Sequence, residues 1–338
     1  MTPRDRPDDD LRVLLQDAVS EVHPEPALGR IRQRTRPAVG IRRLPPWLAV
    51  TAAAATVAAI VGGIALVNRP QSPVTGGPAG RPSGSATGAV RVVKALGIYY
   101  VGDTPQGPRL YREFHRARLL PGRSIAGATD LALGRPTDFD YRSPWPSGTT
   151  VDEGSDGTRG PATISLRNSS VDLGKRPSGM SRAEANEAVQ QLVYTAQAAL
   201  QVRRPVRFQI DGKVSATLLG VDVSQPVSEL AQLDVLALVS ITDPTEGAGV
   251  KGSFTARGVA SSFEANVPWQ ITKNGKVVKS GFSTAAGWVD KLYPWATDPI
   301  DVSNLAPGAY AFVARTDDPS AGEGAGPMTD TRTIVVRR

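Results

Sequence analysis

The sequence predicts an α+β domain followed by an all-β sandwich, with one transmembrane helix before them. Three observations support this prediction: a long uncharged stretch near the N-terminus, strands mixed with amphipathic helices in the middle, and only strand patterns in the last third. They divide the 338 residues into five segments. The segments are 1–46, 47–67, 68–88, 89–230 and 235–338.

Composition excludes several kinds of site. The chain contains no cysteine, which excludes disulfides, zinc–thiolate sites, cysteine nucleophiles and a lipid-bearing cysteine. His23 and His115 are its two histidines, so a three-histidine metal site is also excluded. The formal net charge of +7 is compatible with nucleic acid or a membrane surface, and the positions of the arginines favour the membrane. We therefore predict no cofactor, no metal site, no nucleotide and no nucleic-acid partner.

The stretch Trp47–Val67 has the length and composition of a membrane span. It carries no charge, and as a helix it would extend about 32 Å, close to the thickness of a hydrocarbon core. A cleaved signal peptide is disfavoured because 46 residues precede the stretch and no A-x-A-like site follows it. Six arginines lie in the twenty residues before it and two in the twenty after it. The richer side stays in the cytoplasm, so we predict a single-pass protein of the cell membrane whose residues from Asn68 onward are extracytoplasmic.

The segments on either side of this span differ in character. Residues 11–22 have apolar side chains at helical spacing, which predicts a short amphipathic helix in the cytoplasmic segment 1–46. Between Pro70 and Gly88, 12 of 19 residues are Pro, Gly or Ser, which is typical of a flexible linker reaching roughly 24 Å.

The segment 89–230 alternates strand and helix signals. A strand over Val90–Val101 and a second over Arg109–Leu119 are predicted to pair antiparallel. Ser181 and Glu184 form a capping box that begins the clearest helix, with Ala185, Val189, Leu192 and others on one face. The further predicted elements are a helix over Ser124–Gly134 and strands in "TTVDEG", "ATISLR" and "RPVRFQID". Strands mixed with packed helices indicate an α+β domain.

The last third has the patterns of an immunoglobulin-like sandwich without its disulfide. Apolar and polar residues alternate over 263–272, which predicts a strand with one buried face. Asn274-Gly275 then predicts a hairpin turn, and "LAPGAY" (Leu305–Tyr310) resembles a tyrosine corner. "AYAFVAR" and "TRTIVVR" are the predicted final strands.

The middle segment contains the stretches "GIYYVGD", "ALGRPTDFDYRSPWPSGTTV", "EANEAVQQLVYTAQAAL" and "VRFQIDGKV…LLGVDVSQPV". Through them it resembles the GerMN domain, a spore-germination module. The last third contains "VSITDPTEGAGVKGSFTARGVASSFEANVPWQI" and "DDPSAGEGAGPMTDTRTIVV", and through them it resembles the Gmad2 immunoglobulin-like domain. The resemblance implies a role in germination or envelope assemblies. Many relatives are lipoproteins, and here a helical anchor would replace the missing cysteine.

Three motifs allow a chemical interpretation. Gly247, Gly249 and Gly252 have the spacing of a dinucleotide-binding loop, but the β-patterned run after them favours turn glycines. The carboxylates of Asp138, Asp140, Asp152, Glu153 and Asp156 lie in or near loops, where we expect solvated side chains. A glycosidase pair or a calcium loop in "DEGSDG" is the sharper alternative. His115 is expected to be an ordinary strand histidine.

The sequence predicts no catalytic residue. Trp288, Tyr293 and Trp295 are the candidate partner-binding anchors, because aromatic side chains dominate interface energetics. Packing over one end of the sandwich is the interpretation that we favour for all three. The predicted function is a non-enzymatic, membrane-anchored envelope protein whose outer domains bind a protein or cell-wall component. A sensor with a cytoplasmic partner for its N-terminal helix, and a cell-wall hydrolase using the loop carboxylates, are the alternatives.

Overall fold

The computed structural model describes residues 91–156, 160–318 and 323–338. The predicted cytoplasmic segment 1–46, the span 47–67 and the linker 68–88 lie outside these residues, as does His23. No helix among the described residues is long and apolar enough to cross a bilayer.

The first domain begins with the predicted hairpin. Strands β1 (Val92–Thr104) and β2 (Gly107–Leu119) pair antiparallel over their whole length. A short strand, β3 (Tyr141–Arg142), pairs with the other edge of β1. Side chains in the middle of β1, such as Ile98 and Tyr100, are fully buried.

A second sheet and two helices complete this domain. The sheet has the order β4-β5-β6-β7, with bounds of Thr150–Ser155, Ala162–Arg167, Val206–Ile210 and Lys213–Val214. Helix α1 spans Ser124–Leu133, helix α2 spans Arg182–Leu200, and β8 (Thr217–Leu218) pairs with β9 (Val221–Asp222). Because β5 and β6 are parallel, the chain needs a crossover between them, and α2 supplies it. The predicted mixture of strands and helices is confirmed.

Helix α2 begins as the capping box predicts. The Ser181 hydroxyl accepts a hydrogen bond from the backbone N–H of Glu184 at 3.0 Å. The Glu184 carboxylate contacts Arg142 at 3.3 Å. The predicted apolar face is buried in the core of the domain, at Ala185, Ala188, Val189, Leu192, Val193 and Ala196.

A single helical turn, α3 (Gln232–Val235), leads into the second domain. Its strands are β10 Val239–Asp243, β11 Ala248–Val250, β12 Ser253–Phe254, β13 Arg257–Ala260, β14 Asn266–Lys273, β15 Lys276–Thr284, β16 Tyr293–Ala296, β17 Ile300–Asp301, β18 Gly308–Arg315 and β19 Thr329–Val336. One sheet has the order β10-β13-β16 and the other β11-β19-β18-β14-β15, with a small β12-β17 pair beside them. A core that includes Val267, Ile271, Phe312 and Ile334 lies within this β-sandwich.

Two local predictions for the sandwich are confirmed. Asn274 and Gly275 both have positive φ, 51° and 75°, as a two-residue hairpin turn requires. The Tyr310 hydroxyl donates a hydrogen bond to the Ala306 carbonyl at 2.7 Å, which is the tyrosine-corner contact.

The strand predicted over 263–272 starts later than expected. Residues Phe263–Ala265 form a 3₁₀ turn, and β14 begins at Asn266. The turn is closed by a hydrogen bond from the Ala265 N–H to the Ser262 carbonyl at 2.9 Å. Phe263 therefore does not enter the core, and its ring packs against Trp288 instead. The alternating pattern extends three residues before the true start of β14, because alternation alone does not distinguish a short turn from the first residues of a strand.

Candidate partner-binding site and the domain junction

A buried arginine joins the two domains. Arg332 lies on β19, and its guanidinium is 3% exposed. Its Nη1 atom lies 2.7 Å from Asp138 Oδ2 and 2.8 Å from Asp330 Oδ1, and Nη2 donates to the Ile241 carbonyl at 2.9 Å. Asp138 belongs to the first domain, whereas the other three residues belong to the second. We call Asp138, Tyr141, Asp330 and Arg332 the Arg332 cluster.

Two tyrosines of the first domain, Tyr141 in the cluster and Tyr111 beside it, add hydrogen bonds across the junction. The Tyr141 hydroxyl donates to Asp330 and lies 2.7 Å from Arg332 Nη1. Its ring stacks on that of Tyr111 with centroids 4.8 Å apart. The Tyr111 hydroxyl in turn donates to the Thr329 carbonyl at 2.9 Å. Strand β19 is therefore held to β2 and β3 by hydrogen bonds as well as by the ion pair.

Burial shifts the acid–base properties of the Arg332 cluster. Burial, opposed by the Arg332 charge and hydrogen bonds, raises the pKa of Asp138 to about 7. Burial also raises the pKa of Asp330, and the carboxylates of Asp330 and Asp138 raise that of Arg332 against the effect of its own burial. One guanidinium thus lies between two carboxyl groups. Ionisation of both carboxyl groups at once is unfavourable, because the second negative charge would be buried close to the first.

An apolar contact forms the other half of the junction. The short helix α3 and the residues after it pack against the first domain, where Val235 and Leu236 join Tyr99, Leu110 and Tyr194 in one buried cluster. The Ala237 N–H donates to the Leu110 carbonyl at 3.0 Å. The described residues from Arg91 onward lie within one compact unit.

The loop carboxylates do not form one group. Asp138 and Asp140 were expected to be solvated, and this was wrong for Asp138, which is 1% exposed. The Asp140 carboxylate accepts a hydrogen bond from the Thr331 hydroxyl across the junction. Asp152 pairs with Arg167 at 2.9 Å, and Asp156 accepts from the Ile125 N–H at 3.1 Å. Glu153 lies on β4 beside a bulge. The sequence could not show that Asp138 and Asp140 hold two domains together.

The aromatic candidates lie around the loop before β16, but they differ in exposure. Trp288 is 40% exposed and makes an edge-on contact with Phe263, with ring centroids 5.1 Å apart. The Tyr293 hydroxyl donates to Asp290 at 2.7 Å. Trp295 is 3% exposed and belongs to the sandwich core, so its side chain has no surface to offer a partner. Packing, the interpretation favoured from the sequence, describes Trp295.

Two residues that the sequence did not single out share this surface. Phe263 is 39% exposed, and Val289 is 63% exposed with a φ of 92°, which is unusual for a β-branched residue. The Val289 N–H donates to the Ser261 hydroxyl at 3.2 Å. We call Phe263, Trp288, Val289 and Tyr293 the aromatic ledge. No sequence signal marked Phe263, because its alternation with Ala265 and Val267 assigned it to the core.

Comparison with known families agrees with this architecture. Residues 98–216 match the family Germane, described as "Sporulation and spore germination". Residues 238–323 match the family Gmad2, described as "Immunoglobulin-like domain of bacterial spore germination". The chain carries a GerMN-type domain followed by a Gmad2 domain.

Solved structures similar to the chain include GerMN domains. The first GerMN domain of the sporulation protein GerM from Bacillus subtilis is 18% identical, with 40% of this chain and 97% of that chain covered and a TM-score of 0.29. The tandem GerMN domains of that protein are 17% identical, with coverages of 64% and 63% and a TM-score of 0.31. A putative lipoprotein from Clostridium perfringens is 16% identical, with coverages of 40% and 87% and a TM-score of 0.26. No curated protein matches the chain.

Of the three glycines with dinucleotide-loop spacing, Gly247 and Gly252 are turn glycines, as predicted, and Gly249 lies in a strand. Gly247 and Gly252 have φ values of 72° and 67°, and Gly249 lies within β11. The strand β12 follows them. The helix N-terminus that would face a pyrophosphate is therefore replaced by a strand.

His115 of the GerMN domain supports the junction. Its Nε2 lies 2.8 Å from Glu113 Oε2, and Glu113 also accepts hydrogen bonds from the N–H groups of Thr137 and Asp138. Burial opposes ionisation of Glu113, but these hydrogen bonds outweigh it and lower the pKa of that carboxyl. The pair thereby fixes the loop that presents Asp138 to Arg332. Across the described ranges, no group of three His, Asp or Glu side chains could hold a metal ion.

Proposed function

We propose that this chain is a non-enzymatic, membrane-anchored cell-envelope protein of the sporulation and spore germination type. Its GerMN and Gmad2 domains would lie outside the membrane and bind a protein or cell-wall component. The family matches support the germination-type assignment. The uncharged stretch 47–67 and the arginines before it support the anchor and its orientation.

One observation carries the binding proposal, namely the aromatic ledge of the Gmad2 domain. Exposed aromatic side chains next to one another are typical of binding anchors, since each buries a large area when a partner covers it. The two rings of Phe263 and Trp288 already restrict each other through their 5.1 Å contact, so less side-chain entropy is lost on binding.

The junction supports a binding role for the whole outer region. Asp138 and Asp140 are engaged with Arg332 and Thr331, so these carboxylates hold the domains together. A fixed junction presents the aromatic ledge at a constant position relative to the GerMN domain. Preorganisation of that kind lowers the entropic cost of binding.

Photo-crosslinking in intact cells tests the proposal. A photoreactive phenylalanine analogue replaces Trp288 in one variant and Val214, which is 55% exposed on β7 of the GerMN domain, in the control. We expect a specific adduct with an envelope protein or wall fragment from position 288 and none from position 214. No adduct at position 288, or the same adducts from both positions, would contradict the proposed binding surface.

A further inference from the structure

We propose that the open end of the β1–β2 hairpin docks on the anionic lipid surface of the membrane. The surface consists of Arg91, Val93, Arg116, Arg118, Leu120 and Arg123, and we call it the basic tip. All six residues are exposed. This inference rests on the proposed membrane anchor, because the anchor determines which surface the tip meets.

Strand register places charge and apolar surface together. Val93 lies opposite Arg118, and Ala95 lies opposite Arg116, so these four side chains share one face of the hairpin. Val93 is 58% exposed and lies next to these arginines on that face. Leu120 adds a second apolar side chain, 38% exposed, just beyond the end of β2. Arginine among exposed aliphatic side chains is the composition of surfaces that bind at the lipid interface.

The basic charge of the tip has little local compensation. Residues 91–102 and 114–129 contain no aspartate or glutamate. Strand β4, which packs against α1, carries Asp152, which pairs with Arg167 at 2.9 Å, and the exposed Glu153. Asp156, just after β4, accepts a hydrogen bond from the Ile125 N–H at 3.1 Å. Lys94 adds a further positive charge, with its Nζ atom 2.7 Å from the Ser124 hydroxyl. All charged side chains of the tip itself are therefore positive.

A groove within the tip has the chemistry of a headgroup site. It has a volume of about 240 Å³ and lies between Arg91 and Arg123, with Leu119 and Ala126 among its apolar lining residues. A guanidinium binds phosphate oxygens with two parallel hydrogen bonds. A lipid phosphate could thus contact the two arginines while its glycerol and upper acyl carbons meet the apolar lining.

In the sequence, the tip begins shortly after the predicted span and linker. Arg91 follows the linker Pro70–Gly88, whose composition predicts a reach of roughly 24 Å. A linker of that composition would give the tip a high effective concentration near the lipid. An anionic wall polymer would satisfy the arginines but would gain nothing from Val93 and Leu120, so the membrane is the better fit.

Vesicle co-sedimentation of residues 84–338 tests the inference without the anchor. We expect binding to phosphatidylcholine vesicles that contain roughly 30% phosphatidylglycerol, weak binding to phosphatidylcholine alone, and loss of binding in about 0.5 M salt. Because each arginine near an anionic surface contributes about fivefold, Arg116→Gln with Arg118→Gln should weaken binding about 25-fold. Val93→Ser should weaken it further without changing the salt dependence.

A matched control carries the same change in charge elsewhere. Lys213→Gln with Lys251→Gln removes two exposed positive charges outside the tip and should leave binding within about twofold of wild type. Equal losses in both double variants, or no binding of wild type to anionic vesicles, would overturn the inference. Binding to soluble polyphosphate without binding to vesicles would also overturn it, in favour of a polymer. None of these outcomes depends on residues 47–67, so a failed tip and a failed anchor are distinguishable.

Discussion

Replacing Arg332 with methionine should uncouple the two domains. Methionine keeps most of the side-chain volume but removes a guanidinium that contacts Asp138, Asp330 and the Ile241 carbonyl. Each buried acceptor left without its donor costs about 1–3 kcal/mol, so two or three of them give about 2–9 kcal/mol. Breaking a buried ion pair by removing one partner typically costs about 3–5 kcal/mol, which lies within that range and is the loss we expect.

Urea unfolding of residues 84–338 measures this cost with two probes. Far-ultraviolet circular dichroism follows α1 and α2 and hence the GerMN domain. Tryptophan fluorescence reports mainly on the Gmad2 domain, because it contains three of the four tryptophans within residues 84–338, namely Trp269, Trp288 and Trp295. We expect coincident transitions in the wild type, because the junction couples the domains. In Arg332→Met the two curves should separate and the free energy of unfolding should fall by about 3–5 kcal/mol.

The control is Arg315→Met, which removes an exposed arginine from the neighbouring strand β18 and should cost less than about 0.5 kcal/mol. Combining Asp138→Asn with Arg332→Met should cost less than the sum of the single changes, because the two side chains interact. Equal losses for Arg332→Met and Arg315→Met, with coincident curves in both, would refute the reasoning.

Three further predictions concern stability. Folding raises the pKa of Asp138 from 3.8 to about 7, so between these pH values the folded state binds one more proton than the unfolded state. The free energy of unfolding of the wild type, measured relative to Asp138→Asn, should therefore fall as the pH rises through that window, by at most about 4 kcal/mol. Urea unfolding near pH 4 and near pH 7.5 measures this, and a difference that grows with pH would contradict it. In Gly258→Ala the new Cβ would lie 1.9 Å from the Ser240 carbonyl oxygen, so a loss of at least about 2 kcal/mol is expected in thermal unfolding, and a neutral result would be unexpected. Tyr310→Phe removes the bond to Ala306 and should cost about 1 kcal/mol by the same measurement; an unchanged melting temperature would mean that the corner adds no net stability.

Local signals in the sequence were sufficient for most of the fold. The Ser181–Glu184 spacing predicted the start of α2, and Asn274-Gly275 predicted a hairpin, because caps and tight turns depend on a few adjacent residues. The tyrosine corner was predictable for the same reason, since Tyr310 and Ala306 are four residues apart.

Contacts between distant residues were not predictable from pattern alone. Asp138 and Arg332 are 194 positions apart, and nothing in either neighbourhood identifies the other as its partner. The candidate site shows the same limit. Trp288 was singled out as an aromatic residue, but its contact with Phe263 depends on a 3₁₀ turn that the alternating pattern concealed.

Labelling of single cysteines in intact cells tests the central claim most directly. Because the chain has no cysteine, Ser280→Cys on exposed strand β15 and Ser20→Cys in the predicted cytoplasmic segment each provide one thiol for a membrane-impermeant maleimide. We predict that position 280 is labelled in intact cells and that position 20 is labelled only after lysis. Labelling of position 20 but not position 280 in intact cells would contradict the account.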